Sequence, residues 1–232
     1  MSLTVLTMVI YIAQMSKDIY NSLIKKPWGE EHCIFRGKDL SIWLLKIAPN
    51  QKTSLHCHPL KKTGLIILNG TVRINLLERQ FELNGLSKIN LRNQQFHQTH
   101  NISDEPIYLV EVETPDIKTD LIRISDDYGR TGEKFESEDE WNDNKSLFTI
   151  INNKINTFKR WNFKKLQLKD ILQRGDIADK CMIILLHNNA FKSDENLGLC
   201  DYGDVFNFPT LLFLSERFTL IPDAECMLIW EK

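Results

Sequence analysis

Residues 50–70 read NQKTSLHCHPLKKTGLIILNG. On an extended strand side chains i and i+2 share a face, so His56 and His58 converge while Cys57 points the other way. Two imidazoles on one face are half of a divalent-metal site. Cys57 is read as a small buried apolar residue. Just downstream, GLIIL (64–68) and TVRINLL (71–77) flank Asn69-Gly70. Asn-Gly between two β-rich runs predicts a tight hairpin.

Further out, short apolar or alternating runs recur at 41–48 (SIWLLKIA), 88–91 (KINL) and 107–113 (IYLVEVE), with a second Asn-Gly at 84–85. Short strands with regularly spaced turn signals predict an all-β sandwich or barrel over about 29–113. Glu111 and Glu113 share one face of the last run; either could supply a carboxylate to a metal site, but they read first as solvated edge charges. An acidic stretch at 136–143 (ESEDEWND) reads as a solvated linker, with Trp141 docking it. Residues 166–172 (LQLKDIL) predict one short helix. β character returns at 182–186, 205–208, 211–214, 218–221 and 226–230. The expected organisation is an N-terminal extension or strand (1–25), a β domain with the candidate site (26–130), a linker (131–150) and a second small β unit (151–232). The second unit holds one histidine, His187, read as a surface group.

Composition excludes several classes. The 232 residues are 42% apolar and 26% charged, ordinary for a soluble globular chain. A net charge of −2 provides no electrostatic footprint for nucleic acid. Five cysteines without a CxxC argue against a disulfide scaffold and for a reducing compartment, so a cytoplasmic location is expected. Residues 3–13 (LTVLTMVIYIA) are too few to span a bilayer, and no basic residue precedes them as in a signal peptide. They read as a strand packing on the domain or on a partner's edge, which predicts a homodimer. The other reading is an upstream extension with a natural start at Met15.

The spacing from Asn50 through the His56–His58 pair and Thr63 to Gly70, followed by His97 and Asn101 in FHQTHN, resembles the cupin superfamily. That family's first motif runs Gly, five residues, His-x-His, three or four residues, Glu, six residues, Gly; its second ends His, three residues, Asn. Here Asn50 stands for the first glycine and Thr63 for the glutamate. The resemblance implies a jelly-roll β-barrel with inward-pointing metal ligands. Carried over residue by residue, these are His56, His58 and His97, holding one divalent ion: zinc, with iron, nickel or manganese as alternatives. Three neutral imidazoles leave the ion its full charge, which favours an anionic substrate oxygen as a further ligand. His100, three residues past His97, faces the other way and reads as a rim group. His32 is not placed near the site.

Two flanking motifs narrow the match to about residues 26–130. Lys26-Pro27-Trp28-Gly29 precedes the barrel, and DLIRISDDYGR (120–130) follows it. Both are similar to type II phosphomannose isomerases and the isomerase domains fused to mannose-phosphate guanylyltransferases. That family's ligand set of Gln, His, Glu and His falls on His56, His58, Thr63 and His97, and its basic residue between the second ligand and the glutamate falls on Lys61. The resemblance implies isomerisation of a sugar phosphate through a metal-stabilised enediolate, with Arg130, and secondarily Lys61, gripping phosphate. A salt bridge from Arg130 to Asp126 or Asp127 is the structural alternative. No catalytic base is assigned. Trp28 and Tyr128 read as packing residues. The second unit resembles a degenerate cupin half without a metal site. The competing functions are a non-catalytic cupin binding a sugar or sugar nucleotide in carbohydrate biosynthesis, and a three-histidine dioxygenase, which the KPWG and DYGR ends disfavour.

Overall fold

The computed structural model describes residue 20 and residues 23–133, 141–142, 150, 154–174 and 181–232. The first unit comprises β1 (Leu23–Lys26), β2 (Gly29–Arg36), β3 (Ser41–Ile47), β4 (Leu55–Cys57), β5 (Lys62–Ile67), β6 (Thr71–Asn75), β7 (Gln80–Asn84), β8 (Lys88–Leu91), β9 (Gln98–Asn101), β10 (Ile107–Thr114) and β11 (Ile122–Ser125). One antiparallel sheet runs β12-β1-β2-β3-β10-β5-β8, where β12 is Trp141–Asn142. Facing it is β7-β6-β9, with β11-β4 beside it. Backbone hydrogen bonds tie β4 to the strand entering β9: His56 and His97 exchange two, at 3.1 and 2.8 Å. The core between the layers includes Trp43, Leu45, Leu65, Ile67, Ile74 and Leu109. This is the jelly-roll barrel expected from the sequence.

The second unit contains β13 (Asn156–Phe158), β14 (Trp161–Gln167), a short helix (Leu168–Leu172), β15 (Cys181–Leu185), β16 (Phe191–Lys192), β17 (Gly198–Leu199), β18 (Val205–Asn207), a helix (Phe208–Ser215), β19 (Thr219–Leu220) and β20 (Glu225–Glu231). Its sheets run β13-β14-β20-β15-β18 and β17-β16-β19. In this order β14, β20, β15 and β18 stand where β3, β10, β5 and β8 stand in the first unit. Likewise β17-β16-β19 matches β7-β6-β9. Where β4 falls in the first unit, between the counterparts of β14 and β15, the chain has the helix Leu168–Leu172.

The two large sheets pack back to back. Ile42, Leu44, Ile66, Val110 and Val112 from the first meet Phe163, Met182, Ile184, Met227 and Ile229 from the second in one buried cluster. This explains why SIWLLKI is apolar almost throughout. Trp43, Leu45 and Ile47 face the barrel, while Ile42 and Leu44 face the second unit. Strands covered on both faces lose the in–out alternation, whereas β6, covered on one face, keeps it. Polar ties cross the same interface. Asn90 and Val205 exchange two hydrogen bonds (3.0 and 3.1 Å), and Lys62 pairs with Asp204 at 2.8 Å. Gly64 makes room for the approach, since a Cβ there would lie 2.8 Å from Val205 Cγ1.

Two sequence expectations are corrected. Asn69-Gly70 does not close a hairpin: β5 pairs with β10 and β8, and β6 pairs with β7 and β9. The dipeptide turns a corner between sheets, with Asn69 accepting from Tyr108 N and donating to Pro106 O. Residues 211–214 are helical because Asn207 caps the helix Phe208–Ser215, accepting from Thr210 N at 3.1 Å, and Pro209 sits in its first turn. The strand expected at 3–13 and most of the acidic linker lie outside the described residues. No helix among the described residues is long and apolar enough to cross a membrane.

Candidate metal centre

β4 and the segment before β9 place the three histidines. Period-two alternation puts His56 and His58 on the face turned into the barrel, and the paired backbone sets His97 opposite His56. The ring centroids are 5.1 Å (His56–His58), 4.4 Å (His56–His97) and 5.5 Å (His58–His97) apart. Each ring contributes a nitrogen such that all three lie within 4.8 Å of one another. Cys57 is buried, as expected.

The outer nitrogens are tied to backbone carbonyls. His56 Nδ1 lies 2.8 Å from Ser54 O, His58 Nδ1 2.5 Å from Asp120 O, and His97 Nδ1 3.0 Å from Gln95 O. A carbonyl only accepts, so each Nδ1 carries the proton and each Nε2 keeps its lone pair. His58 Nε2 is buried with no hydrogen-bond partner. Burial lowers all three ring pKa values. For His56 the neighbouring rings of His97 and His58 add to burial; His58 is pushed down to about 3 by burial and Lys61, and His97 to about 4 by burial. All three are neutral near pH 7, the form that ligates metal. Oriented Nδ1 donors, with one nitrogen of each ring converging, fit a divalent cation.

The cavity around them holds about 60 Å³, and its walls include Trp28, Ser54, Glu111, Lys118, Arg123 and Arg130. Glu111 and Glu113 are not solvated edge charges: their exposures are 8% and 2%. The alternation in IYLVEVE is real, but Val110 and Val112 face the second unit, so both glutamates point into the barrel. Glu113 belongs to a buried charge network. Lys61 Nζ reaches Glu113 at 2.8 Å; Lys118 Nζ reaches Glu113 at 3.4 Å and Glu31 at 3.3 Å; Lys26 pairs with Glu31 at 3.2 Å. Burial opposes ionisation of Glu113, but Lys118 and Lys61 outweigh it and hold the carboxyl below its ordinary range. Burial and the Glu113 charge raise Glu111.

Lys61, a phosphate candidate in the sequence, is 1% exposed, bound to Glu113 and not among the cavity walls. Arg130 does line the cavity while forking onto Asp126, with Nη2–Oδ1 at 2.8 Å and Nε–Oδ2 at 3.2 Å. Arg130 thus lines the cavity and also makes the salt bridge to Asp126 named as its structural alternative. Arg123, passed over as a site residue, also lines the cavity and donates to Ser54 Oγ at 3.1 Å. Pairing opposite His56 across β4 and β11 brings it there, and the order of residues in IRIS does not reveal that pairing. Lys118 and Glu31 had no signal either, because strands distant in sequence deliver them. Trp28 is buried in the wall, and Tyr128 donates to Gln51 Oε1 at 2.9 Å. His100 is half-buried on β9, and His187 is half-buried. Asn101, which closes the second motif, is structural. Its Nδ2 donates to Ile47 O, Ala48 O and Glu105 O, and its Oδ1 accepts from Ser103 N.

Residues 14–126 match the family model described as mannose-6-phosphate isomerase C-terminal. Among curated proteins, the alginate biosynthesis protein AlgA of Pseudomonas aeruginosa is 23% identical over 112 residues, 47% of this chain and 23% of that protein. The xanthan biosynthesis protein XanB of Xanthomonas campestris is 24% identical over 121 residues, 51% of this chain and 26% of its own length. The chain thus spans about a quarter of the length of these relatives. Among solved structures, a cupin-superfamily sugar phosphate isomerase from Silicibacter pomeroyi aligns over 38% of this chain and 59% of its own, with 14% identity and a TM-score of 0.36. KdgF from Halomonas aligns over 42% and 89%, with 11% identity and a TM-score of 0.39.

Proposed function

We propose, from the match of residues 14–126 to the mannose-6-phosphate isomerase C-terminal family model, that this chain binds one divalent cation on His56, His58 and His97. Its ligand is a phosphorylated or activated sugar, and its reaction is aldose–ketose isomerisation of a sugar phosphate. The observation that carries this reading is the convergence of three ring nitrogens, one from each histidine, in rings whose Nδ1 atoms all lie at backbone carbonyls. Bound there, zinc supplies a Lewis acid for a sugar carbonyl oxygen.

The chain's own residues would divide the remaining work. A cavity of about 60 Å³ takes a cation and waters but not a whole hexose phosphate, so an open-chain sugar would enter carbonyl end first. Arg123 and Arg130, both lining the cavity, are the cations suited to a phosphate, by fixed charge and forked geometry. Asp126 sets the direction of Arg130. Lys61, committed to Glu113, is left with a structural role. We read the second unit as a degenerate repeat of the first, supported by the shared strand order and, among the described residues, the lack of a β4 counterpart. Its role is to cover the barrel's outer sheet. A homodimer remains part of the proposal, checked by light scattering with and without residues 1–14.

A second reading, a cupin that binds an activated sugar without turnover, is favoured by Thr63 at the motif's carboxylate position. Elemental analysis of the purified protein should find about one equivalent of zinc or a similar ion. His56→Ala should lose the ion and any isomerase activity while the metal-free protein keeps its fold by circular dichroism. Full metal occupancy in that variant would refute the ligand assignment. Sugar phosphates that raise the melting temperature without being interconverted would move the chain to the second reading.

A further inference from the structure

The site as built lacks the carboxylate at motif position 63. Thr63 is buried, and its hydroxyl has no hydrogen-bond partner. A threonine oxygen is short and neutral. A cation held by three imidazoles alone would keep both charges inside a largely buried cavity, which is costly without an anionic partner. The neighbouring strand offers one. On the β5–β10 ladder, Thr63 faces Glu113 and Leu65 faces Glu111. Residues directly opposite or diagonal on one face of an antiparallel pair are within side-chain reach.

The two glutamates are not equivalent. Glu113 is held by Lys61 at 2.8 Å, Lys118 at 3.4 Å and the Ser41 hydroxyl at 3.4 Å. Glu111 shows no comparable hydrogen bond or ion pair among the described residues, yet it lines the cavity. His58, Glu111 and Glu113 bring donor atoms within 4.8 Å of one another, as do His56, His58 and His97. His58 belongs to both groups, and its Nε2 is buried and unpartnered. His58 thus joins the histidine trio to the carboxylate pair that contains the uncommitted Glu111.

We propose that Glu111 is the carboxylate ligand of the metal centre, moved from β5 to the adjacent strand β10. The centre is then three histidines and one glutamate, with the acid approaching from a different strand than in the motif. This rests on the reading that the histidine trio holds a cation. Glu113, Lys61 and Lys118 form the layer behind it and keep Glu111 from being drawn into an ion pair of its own.

The test is Zn²⁺ affinity of the full chain, measured by competition with a chromophoric chelator, alongside the visible spectrum of the Co²⁺-loaded protein. Glu111→Gln should weaken Zn²⁺ by about 100-fold and alter the Co²⁺ bands, since even outer-shell losses cost about 10–100-fold. Adding Thr63→Glu to Glu111→Gln should recover at least about tenfold of that affinity by returning the carboxylate to the motif position. Wild-type affinity and spectrum in Glu111→Gln would overturn the relocation and leave the trio standing; no Zn²⁺ binding by the wild type would overturn both. If Glu111→Gln does not fold, Glu111→Asp, which keeps the charge but withdraws the oxygens, must still weaken Zn²⁺ by at least about tenfold. Undiminished affinity there also overturns the proposal.

Discussion

His32 shows how one buried side chain ties stability to pH. It lies on β2 between Leu23 and Leu44, nearly inaccessible, with Nε2 lacking a hydrogen-bond partner. Burial lowers its pKa to about 4, against the opposing pull of Glu30 and Glu31. The folded pKa is below the unfolded value of about 6.5, so the unfolded chain takes up the proton first. The stability from neutral His32 is therefore complete above about pH 6.5 and is lost as pH falls towards 4. Between pH 7 and pH 5 this amounts to about 2 kcal/mol. Urea titrations at both pH values should show His32→Leu losing less stability on acidification than the wild type by that amount; equal losses would mean that His32 titrates freely. Asn101 is the residue-scale counterpart in the backbone. Replacing it by Ala takes a donor from three carbonyls, of which Ala48 O keeps Gln51 N, and strands the Ser103 amide; it should cost about 3 kcal/mol in chemical denaturation. This side chain explains the motif's asparagine without any role in chemistry.

Among the elements, β2 and β3 show why the PWG turn ends in glycine. Gly29 has φ +153°, and a Cβ there would lie 1.9 Å from Lys46 O on the paired strand. The obstacle is backbone and cannot rotate away. Gly29→Ala should therefore lower stability by more than about 2 kcal/mol, or abolish soluble expression, read from the thermal midpoint. β4 was legible as an element because His-x-His needs only period two to place both rings. β10 was not, because the alternation in IYLVEVE has the same signature whether its polar face meets water or a polar cavity. The helix Phe208–Ser215 was misread from its apolar run, although Asn207-Phe-Pro-Thr carries the start signal for a helix.

At the scale of the whole molecule, the shared cluster between the two large sheets makes the units one folding body. Calorimetry should give a single unfolding transition, and two resolved transitions would contradict this coupling. Val205 sits at the seam, against Gly64 and beside the Asn90 hydrogen bonds. Val205→Asp buries an unpaired charge there and should cost more than about 4 kcal/mol, with loss of both units together. From the residues alone came the all-β class, the barrel and the three histidines, because strand periodicity and motif spacing are local properties of the chain. The back-to-back seam, the inward turn of Glu111 and Glu113, and the arrival of Lys118, Glu31 and Arg123 at the cavity were decided by tertiary structure. They depend on which distant strands become neighbours, and pairing across a sheet leaves no mark on the order of residues along a single strand.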